Sequence, residues 1–534
     1  MIEQKTNNRF SLTTPLYYVN DVPHIGSAYT TMAADAIARF QRLQGKDILL
    51  ITGTDEHGQK IQRTAEEKGL SPQQQCDQVA ASFDSLWQKL NIQYDRFSRT
   101  TADRHEAIVK EFFQRVWEND DIYLAQKQGW YCVSCEEFKE ERELINGGYC
   151  PIHINKKAEW RDEENYFFRL SKYQTKLEHL YENHPDFIQP SSRRKEVLNF
   201  VKQGLQDFSI SRVNLAWGIE VPPDPKHTIY VWFDALLGYI TALLDPEQEP
   251  TLDNALSRWW PMNLHLIGKD ILRFHAVYWP AMLMSAGIAP PQKVFGHGFL
   301  TKDGQKMGKS LGNTLDPLAL LDRYGADAVR YYFLREIEFG QDGDFNETRF
   351  VNVLNADLAN DLGNLLNRTL KMAKKYCGNQ VPHLTGEDIP ATQPLKALGS
   401  DLSDRVSEAY NTLSFSQACQ AIINLVTTSN KYIDEQAPWS LYKQGEQTQV
   451  ERVLYSILES IRLSAYLLSP ITPTLSTQIY RQLGFTIDFN QPSSFNQEAF
   501  FQTHQGWGML PPGQLLGEAK PVFLRLELPE ENPL

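Results

Sequence analysis

The sequence predicts an α/β chain in which a doubly wound parallel sheet is split by an insertion and followed by an all-α helix bundle. Three observations predict it. From Ser11 to about Asp120, β-rich segments alternate with helical ones, as crossover connections between parallel strands require. Strand patterning then lapses and resumes at Thr228 to Trp232, Leu264 to Ile267 and Val294 to Phe295. From Phe350 onward the apolar period becomes helical, through Leu354, Leu358, Leu362 and Leu365, then Val406, Tyr410 and Leu413, then Val453, Ile457, Ile461, Ala465 and Leu468.

With 534 residues the chain exceeds one hydrophobic core, and 42% hydrophobic residues suffice to build several. The expected division is 1–120 for the first half of the sheet domain, 121–226 for the insertion and 227–295 for the second half. A connecting region follows over 296–348, then the helix bundle over 349–490 and a Pro-, Gly- and Gln-rich extended segment over 491–534. Met1 to Arg9 is polar, so no secretory signal is expected. The uncharged stretch Leu463 to Tyr480 is long enough to span a bilayer, but its two prolines and six Ser or Thr residues argue against a span. A soluble, cytoplasmic, monomeric protein is expected.

The net charge of −13 argues against a polyanion partner unless basic patches act locally. Two candidates are Arg193-Arg194-Lys195 and the segment Arg368 to Lys375, which has four cations and no acid. An ordinary solvated helix face explains either patch equally well.

Six cysteines in so long a chain do not make a disulfide scaffold. Three of them cluster as Cys132-x-x-Cys135 and, after fourteen intervening residues, Cys150-x-x-His153. Two tight pairs on a short loop are the spacing of a tetrahedral Cys₃His zinc knuckle, whose closed ligand set makes the ion structural. Cys76, Cys377 and Cys419 lie in helical patterns as packing residues.

Two short segments carry phosphate chemistry. Pro23-His24-Ile25-Gly26-Ser27 follows the apolar stretch Phe10 to Val19 and opens the helical run Tyr29 to Leu43. His24 and Gly26 therefore fall at a helix N-terminus, where backbone N–H groups and the helix dipole favour phosphate, and Gly26 lets a flat ring approach the backbone. Lys306-Met307-Gly308-Lys309-Ser310 places two lysines three residues apart among Gly304, Gly308 and Gly312. Two point charges on such a loop suit a pyrophosphate leaving group.

Together these segments resemble the ATP-handling pair of the class I aminoacyl-tRNA synthetases. Further segments narrow the resemblance to the methionyl branch over nearly the whole chain. They are Thr14 to Asn20, Gly53-Thr54-Asp55-Glu56-His57-Gly58, Tyr230 to Ala235, Ile267 to Ile271, Phe274-His275, Trp279 to Met282 and Asp434 to Trp439. The chain departs from the family at Ser27, where a second His is usual, and at Leu236, where proline is common.

The resemblance implies a Rossmann-like fold with the knuckle in its insertion, and methionine, ATP with Mg²⁺, and tRNA(Met) as partners. It implies that His24, Ser27, Lys306 and Lys309 act in catalysis. It assigns ATP to His24, Gly26, Gly268, Asp270, Lys306 and Lys309. Asp55 takes the methionine ammonium, and Leu16, Tyr18, Trp232, Ala235, Leu236, Tyr239, Ile271, His275 and Trp279 form the side-chain pocket. His275 or Tyr18 offers the thioether a hydrogen bond. Asp270 also reads as a cap for a helix beginning at Ile271. Asn364 and Arg368 with Pro438 and Trp439 are placed at the anticodon, the alternative for Trp439 being an indole that packs the bundle core.

Synthetases for valine, leucine or isoleucine would need a larger editing insertion. A cysteine-specific one would hold zinc in its catalytic pocket. A non-catalytic RNA-binding relative is the remaining alternative, against which Lys306, Lys309 and Asp55 all stand.

Overall fold

The computed structural model describes residues 8–133, 137–139, 141–151, 156–213, 215–307, 313–391, 393–491 and 495–528. Its centre is a six-stranded sheet whose paired strands all run parallel. The strands are β1 (Arg9–Tyr18), β2 (Asp47–Asp55), β3 (Arg96–Arg99), β4 (Ile188–Gln189), β5 (Leu264–Gly268) and β6 (Val294–His297), in spatial order β3-β2-β1-β5-β6-β4. Order reverses between β1 and β5, so a crevice opens at the carboxyl ends of the central strands. β2 is buried on both faces after its first residue, as an interior parallel strand must be. The edge strand β4 comes from within 121–226, so that segment returns to the sheet before the second half begins.

Helix α1 (Ile25–Leu43) follows β1 and is buried on almost every face. Its small residues Ala28, Ala33, Ala34, Ala36 and Ala38 let the sheet and the bundle approach it closely. Asp35 and Arg39 of α1 meet the fully buried Arg330 of a later helix, with Arg330 Nη2 2.6 Å from Asp35 Oδ2 and Arg39 Nε 2.7 Å from the same oxygen. Arg330 also donates to the carbonyls of Ile471, Pro470 and Leu90. One guanidinium thus ties α1 and its surroundings to the C-terminal bundle.

The insertion is an antiparallel sheet built on Ile122–Cys132 and Glu159–Phe168, with Glu137–Lys139 and Phe208–Ser209 at its edges. Helix α2 (Asp103–Glu118) leads into it. Helix α3 (Val231–Leu236) opens the return to the central sheet. A small sheet of Leu300–Lys302, Gln305–Lys306 and Gly343–Phe345 carries the connecting region.

Helix α4 (Ala326–Glu336) carries Arg330, and the bundle then runs through α5 (Asn364–Tyr376), α6 (Phe415–Gln436), α7 (Pro438–Lys443) and α8 (Gln447–Leu468). The apolar positions read at helical spacing are buried, among them Leu354, Leu358, Leu362, Val406, Ile457 and Ile461. Among the described residues no helix is long and apolar enough to cross a membrane. Leu463 to Tyr480, uncharged as it is, spans the end of α8 and a second helix, Pro473–Gln482, inside the bundle.

The C-terminal segment is not extended throughout: Gln497–His504 is a helix whose Asn496 side chain accepts from Ala499 N–H. Phe500 gives that helix a buried anchor amid Pro- and Gln-rich flanks that obscure its pattern. Further on, Leu526 exchanges two hydrogen bonds with the Asn355 side chain, so the chain end does pack back onto the bundle.

Candidate functional site

A cleft opens at the carboxyl ends of β1, β2 and β5 and the N-terminus of α1. Of the expected residues, Leu16, Tyr18, His24, Gly26, Ser27, Asp55, Trp232, Gly268, Asp270 and Ile271 line it. Tyr18 and Asp55 are register partners on β1 and β2, which sets the single expected ammonium-binding carboxylate beside the phenol.

The N-terminus of α1 is built as a capping box. Gly26 and Ser27 N–H donate to His24 Nδ1 at 3.0 and 3.3 Å, and His24 N–H donates to Ser27 Oγ at 3.1 Å. A ring that caps through Nδ1 keeps its proton on Nε2, so His24 meets the cleft as a hydrogen-bond donor. The absence of a side chain at Gly26 is explained by the ring itself: a Cβ there would lie 2.9 Å from His24 Cε1. Ser27 is buried and donates to the His24 carbonyl at 2.7 Å. Its hydroxyl is thereby committed to the helix cap.

Asp270 lies inside a 3₁₀ turn, Lys269–Ile271, and no side-chain cap stands before it. A Cβ on Gly268 would sit 2.5 Å from Asp270 Oδ1, so glycine is needed for the carboxylate to fold back over the end of β5. A π-helical turn, Phe274–Tyr278, follows.

The remaining pocket residues form a layer behind the cleft. Ala235, Leu236, Tyr239, His275 and Trp279 are all buried. Trp232 joins the two layers: it stacks on Phe274 with ring centres 3.9 Å apart and meets His275 edge-on at 6.3 Å. Tyr239 O–H donates to His275 Nε2 at 2.8 Å, and His275 Nδ1–H donates to the Ile271 carbonyl at 3.0 Å. Both nitrogens are engaged, so His275 has no N–H to spare for a thioether in this arrangement. Burial lowers its pKa to about 4, which keeps it neutral.

Several other residues that line the cleft were given no site role by the sequence. Phe274 lines it as the partner of Trp232, and Asn20 and Lys60 line it near Tyr18, whose ring lies 5.4 Å from the Lys60 ammonium. His297 to Leu300 form the wall beyond β6. His297 Nδ1–H donates to the Gly298 carbonyl and its Nε2 sits 2.6 Å from Thr30 Oγ1. Burial holds it at about 4, neutral like His275. The sequence signal was a lone His-Gly step at a strand end, too common to single out.

Lys306 ends the short strand Gln305–Lys306 in the small sheet beside the cleft, and Lys309 lies outside the described residues. Of the knuckle, Cys135 and His153 lie outside the described residues. Cys132, at the end of its strand, and Cys150 are buried and unoxidised. Two buried thiols on turn-bearing segments, each with a metal-ligating residue three positions on, fit a zinc ion by donor chemistry.

In the bundle, Asn364 and Arg368 share one face of α5 a turn apart. Arg368 donates to Asp434 and to the Asn430 side chain, both on α6. Pro438 is buried at the start of α7, and Trp439 is 39% exposed, so it is not a core indole.

Residues 10–156 and 152–370 match the family described as tRNA synthetases class I (M), and 387–520 match the anticodon binding domain of methionyl tRNA ligase. The chain belongs to the class I methionyl-tRNA synthetase family. It is similar to methionine–tRNA ligases: that of Nostoc sp. is 71% identical over 98% of both chains, and that of Synechocystis sp. is 71% identical over the same shares. The solved structure of Mycobacterium tuberculosis methionyl-tRNA synthetase in complex with methionyl-adenylate superposes with a TM-score of 0.89 at 41% identity, covering 97% of this chain and all of that one. The activity is therefore that of a methionine–tRNA ligase. The catalytic match extends to residue 370, across the first bundle helices, which carry Asn364 and Arg368.

Proposed function

We propose that the cleft joins L-methionine to ATP as follows. Asp55 takes the ammonium, and Tyr18, Leu16, Trp232 and Ile271 take the side chain, backed by the buried layer of Ala235, Leu236, Tyr239, His275 and Trp279. Gly268 and Asp270 take the ribose. His24 and the α1 N-terminus, with Gly26 at close approach, take the phosphates. The methionine carboxylate attacks the α-phosphorus of MgATP, the bond to the β-phosphate oxygen breaks, and pyrophosphate leaves against Lys306 and Lys309. No protein base is needed, because the carboxylate is already ionised. A ribose hydroxyl at the 3′ end of tRNA(Met) then attacks the methionyl carbonyl and AMP departs. Ser27 contributes by holding His24 in its capping pose rather than by charge.

The observation that carries this reading is the cleft itself. It brings the Asp55 carboxylate to an apolar and aromatic wall within reach of a helix N-terminus capped by His24. Asn364, Arg368, Pro438 and Trp439 read the anticodon in the same proposal, supported by the exposure of Trp439 and Asn364 beside α6. Cys132, Cys135, Cys150 and His153 hold one zinc ion, which would tie the insertion and take no part in the reaction. A cytoplasmic location, supported by the low cysteine content, and a monomeric state complete the proposal.

The test is exchange of labelled pyrophosphate into ATP with each of the twenty amino acids in turn. Methionine should give the highest turnover per concentration, with leucine weaker. An apolar pocket gains only about 1–3 kcal/mol per methylene-sized difference, so some activity with close analogues is expected. Highest turnover with another amino acid, or none with any, would overturn the proposal.

A further inference from the structure

The segments Thr54 to Gly58 and Tyr230 to Ala235 lie far apart in the chain, and only Asp55, Trp232 and Ala235 of them have a place in the reaction above. The structure brings their unused members together. Asp234 is fully buried, and its two carboxylate oxygens each take one imidazole: His57 Nδ1–H donates to Oδ2 at 2.6 Å and His105 Nε2–H donates to Oδ1 at 2.6 Å. His105, on α2, is itself fully buried, and its Nδ1 lies 2.9 Å from Thr241 Oγ1. A carboxylate with no exposure persists only when its lone pairs are met by such donors.

The elements these three residues belong to give the contact its meaning. His57 is two residues beyond Asp55, and Asp234 sits on the turn of α3 that also bears Trp232 and Ala235. On its other side the His57 loop is held through Glu56. The Glu56 carboxylate accepts from Thr54 Oγ1 at 2.6 Å, from Arg99 Nε at 2.7 Å and from Thr101, and its carbonyl accepts from Trp217 Nε1 at 2.6 Å. The loop is therefore fixed to the β3 end by Glu56 and to α3 by His57. The His57–Asp234 bond directly links the strand end carrying the carboxylate to the helix carrying the aromatic wall.

We infer that Asp234, with His57 and His105, is a positioning device that sets the separation between the ammonium-binding carboxylate and the methionine side-chain pocket. The inference rests on Asp55 as the ammonium site. A methionine must reach both ends of its pocket at once, so slack between them costs affinity for the amino acid and leaves ATP, held on β5 and α1, largely untouched.

The experiment measures KM for methionine and for ATP, and kcat, in pyrophosphate exchange by the full-length enzyme and four variants. They are Asp234→Asn, His57→Gln, the double variant, and Asp55→Asn. The expected result is a rise of about ten-fold in KM for methionine in Asp234→Asn and in His57→Gln, the loss of one charge-assisted hydrogen bond, with KM for ATP within about two-fold. The double variant should be no worse than the weaker single one, since both remove the same link. If Asp234→Asn does not fold, His57→Gln decides alone, because its amide falls near the Nε2 position rather than Nδ1, which removes the bond to Asp234 while the buried carboxylate keeps His105. Equal rises in both KM values, or an unchanged KM for methionine in His57→Gln while Asp55→Asn raises it, would overturn the positioning role and leave the ammonium site standing. An unchanged KM for methionine in Asp55→Asn would overturn the ammonium site and, with it, this inference.

Discussion

Replacing Trp439 by alanine separates RNA recognition from amino-acid activation. The indole is 39% exposed, which for a side chain of about 250 Å² leaves roughly 100 Å² free. That is about one face of the ring system. Covering it with a nucleobase is worth about 2.5 kcal/mol at about 25 cal/mol per Å², inside the range of ~1–3 kcal/mol measured for a base stacked on an aromatic side chain. Trp439→Ala should therefore lower kcat/KM for tRNA charging by roughly 5- to 150-fold and leave methionine-dependent pyrophosphate exchange unchanged. The buried remainder of the ring makes some loss of stability unavoidable, so Trp439→Phe is the necessary companion. A phenyl ring restores most of the stacking surface, and charging should recover to within a few-fold. Paired aminoacylation and exchange assays, with a thermal melt of each variant, give the answer. Parallel loss of both activities, or a Trp439→Phe variant as poor as the alanine variant, would show that the indole is structural and would remove the anticodon assignment. Base choice is a separate matter, since stacking accepts any base whereas Asn364 and Arg368 can hydrogen-bond base edges.

Arg330→Met would leave the fully buried Asp35 with Arg39 as its one guanidinium partner and strip three carbonyls of a donor. Breaking such a pair costs ~3–5 kcal/mol, visible as a lowered urea midpoint, and an unchanged midpoint would refute the network's role. Burial raises the Asp234 carboxyl, but His57 and His105 outweigh it and lower it to about 2 from an ordinary 3.8. Its stability contribution is thus present above pH 3.8 and lost as pH falls through about 2, an effect of about 2 kcal/mol that a urea series in acid should show and Asp234→Asn should lack. His57 is shifted the other way: burial lowers it, and the Asp234 charge more than restores it, so it stays raised above 6.5. Its contribution is present below pH 6.5 and lost as pH rises through the raised value, and His57→Gln should flatten that alkaline slope. Lys309→Ala should slow adenylate formation by ~2–4 kcal/mol of barrier with KM for methionine nearly unchanged, because its contact forms with the leaving group; an equal loss in methionine affinity would sink that role. Metal analysis of freshly purified protein should find one zinc per chain, and Cys132→Ser should lower it and loosen the insertion first in hydrogen exchange, with zinc-free native protein as the refuting result.

The sequence by itself determined the architecture and many of the residues that line the cleft. Alternating β-rich and helical segments can bury both faces only as a parallel sheet with crossovers, and the leucine periodicity after Phe350 can bury its stripe only in a bundle. A His-x-Gly step before a helical run specifies a helix N-terminus from local rules alone, and the capping box at His24 is what those rules produce. Two kinds of feature were decided by tertiary structure. One is which residues of a recognised segment face the cleft: Trp232 and Ile271 do, while Tyr239, His275 and Trp279 stand behind it, because which side of α3 and of the π-helical turn meets the ligand depends on how these short helices pack. The other is what a polar side chain is spent on. Ser27, His275 and Asp234 each read as functional or neutral in the chain, yet their hydrogen bonds go to a helix cap, to Tyr239 with Ile271, and to two histidines from distant segments. Partners separated by dozens to hundreds of residues leave no periodic trace in a sequence, so only the packed core, where every buried donor and acceptor must be met, settles them.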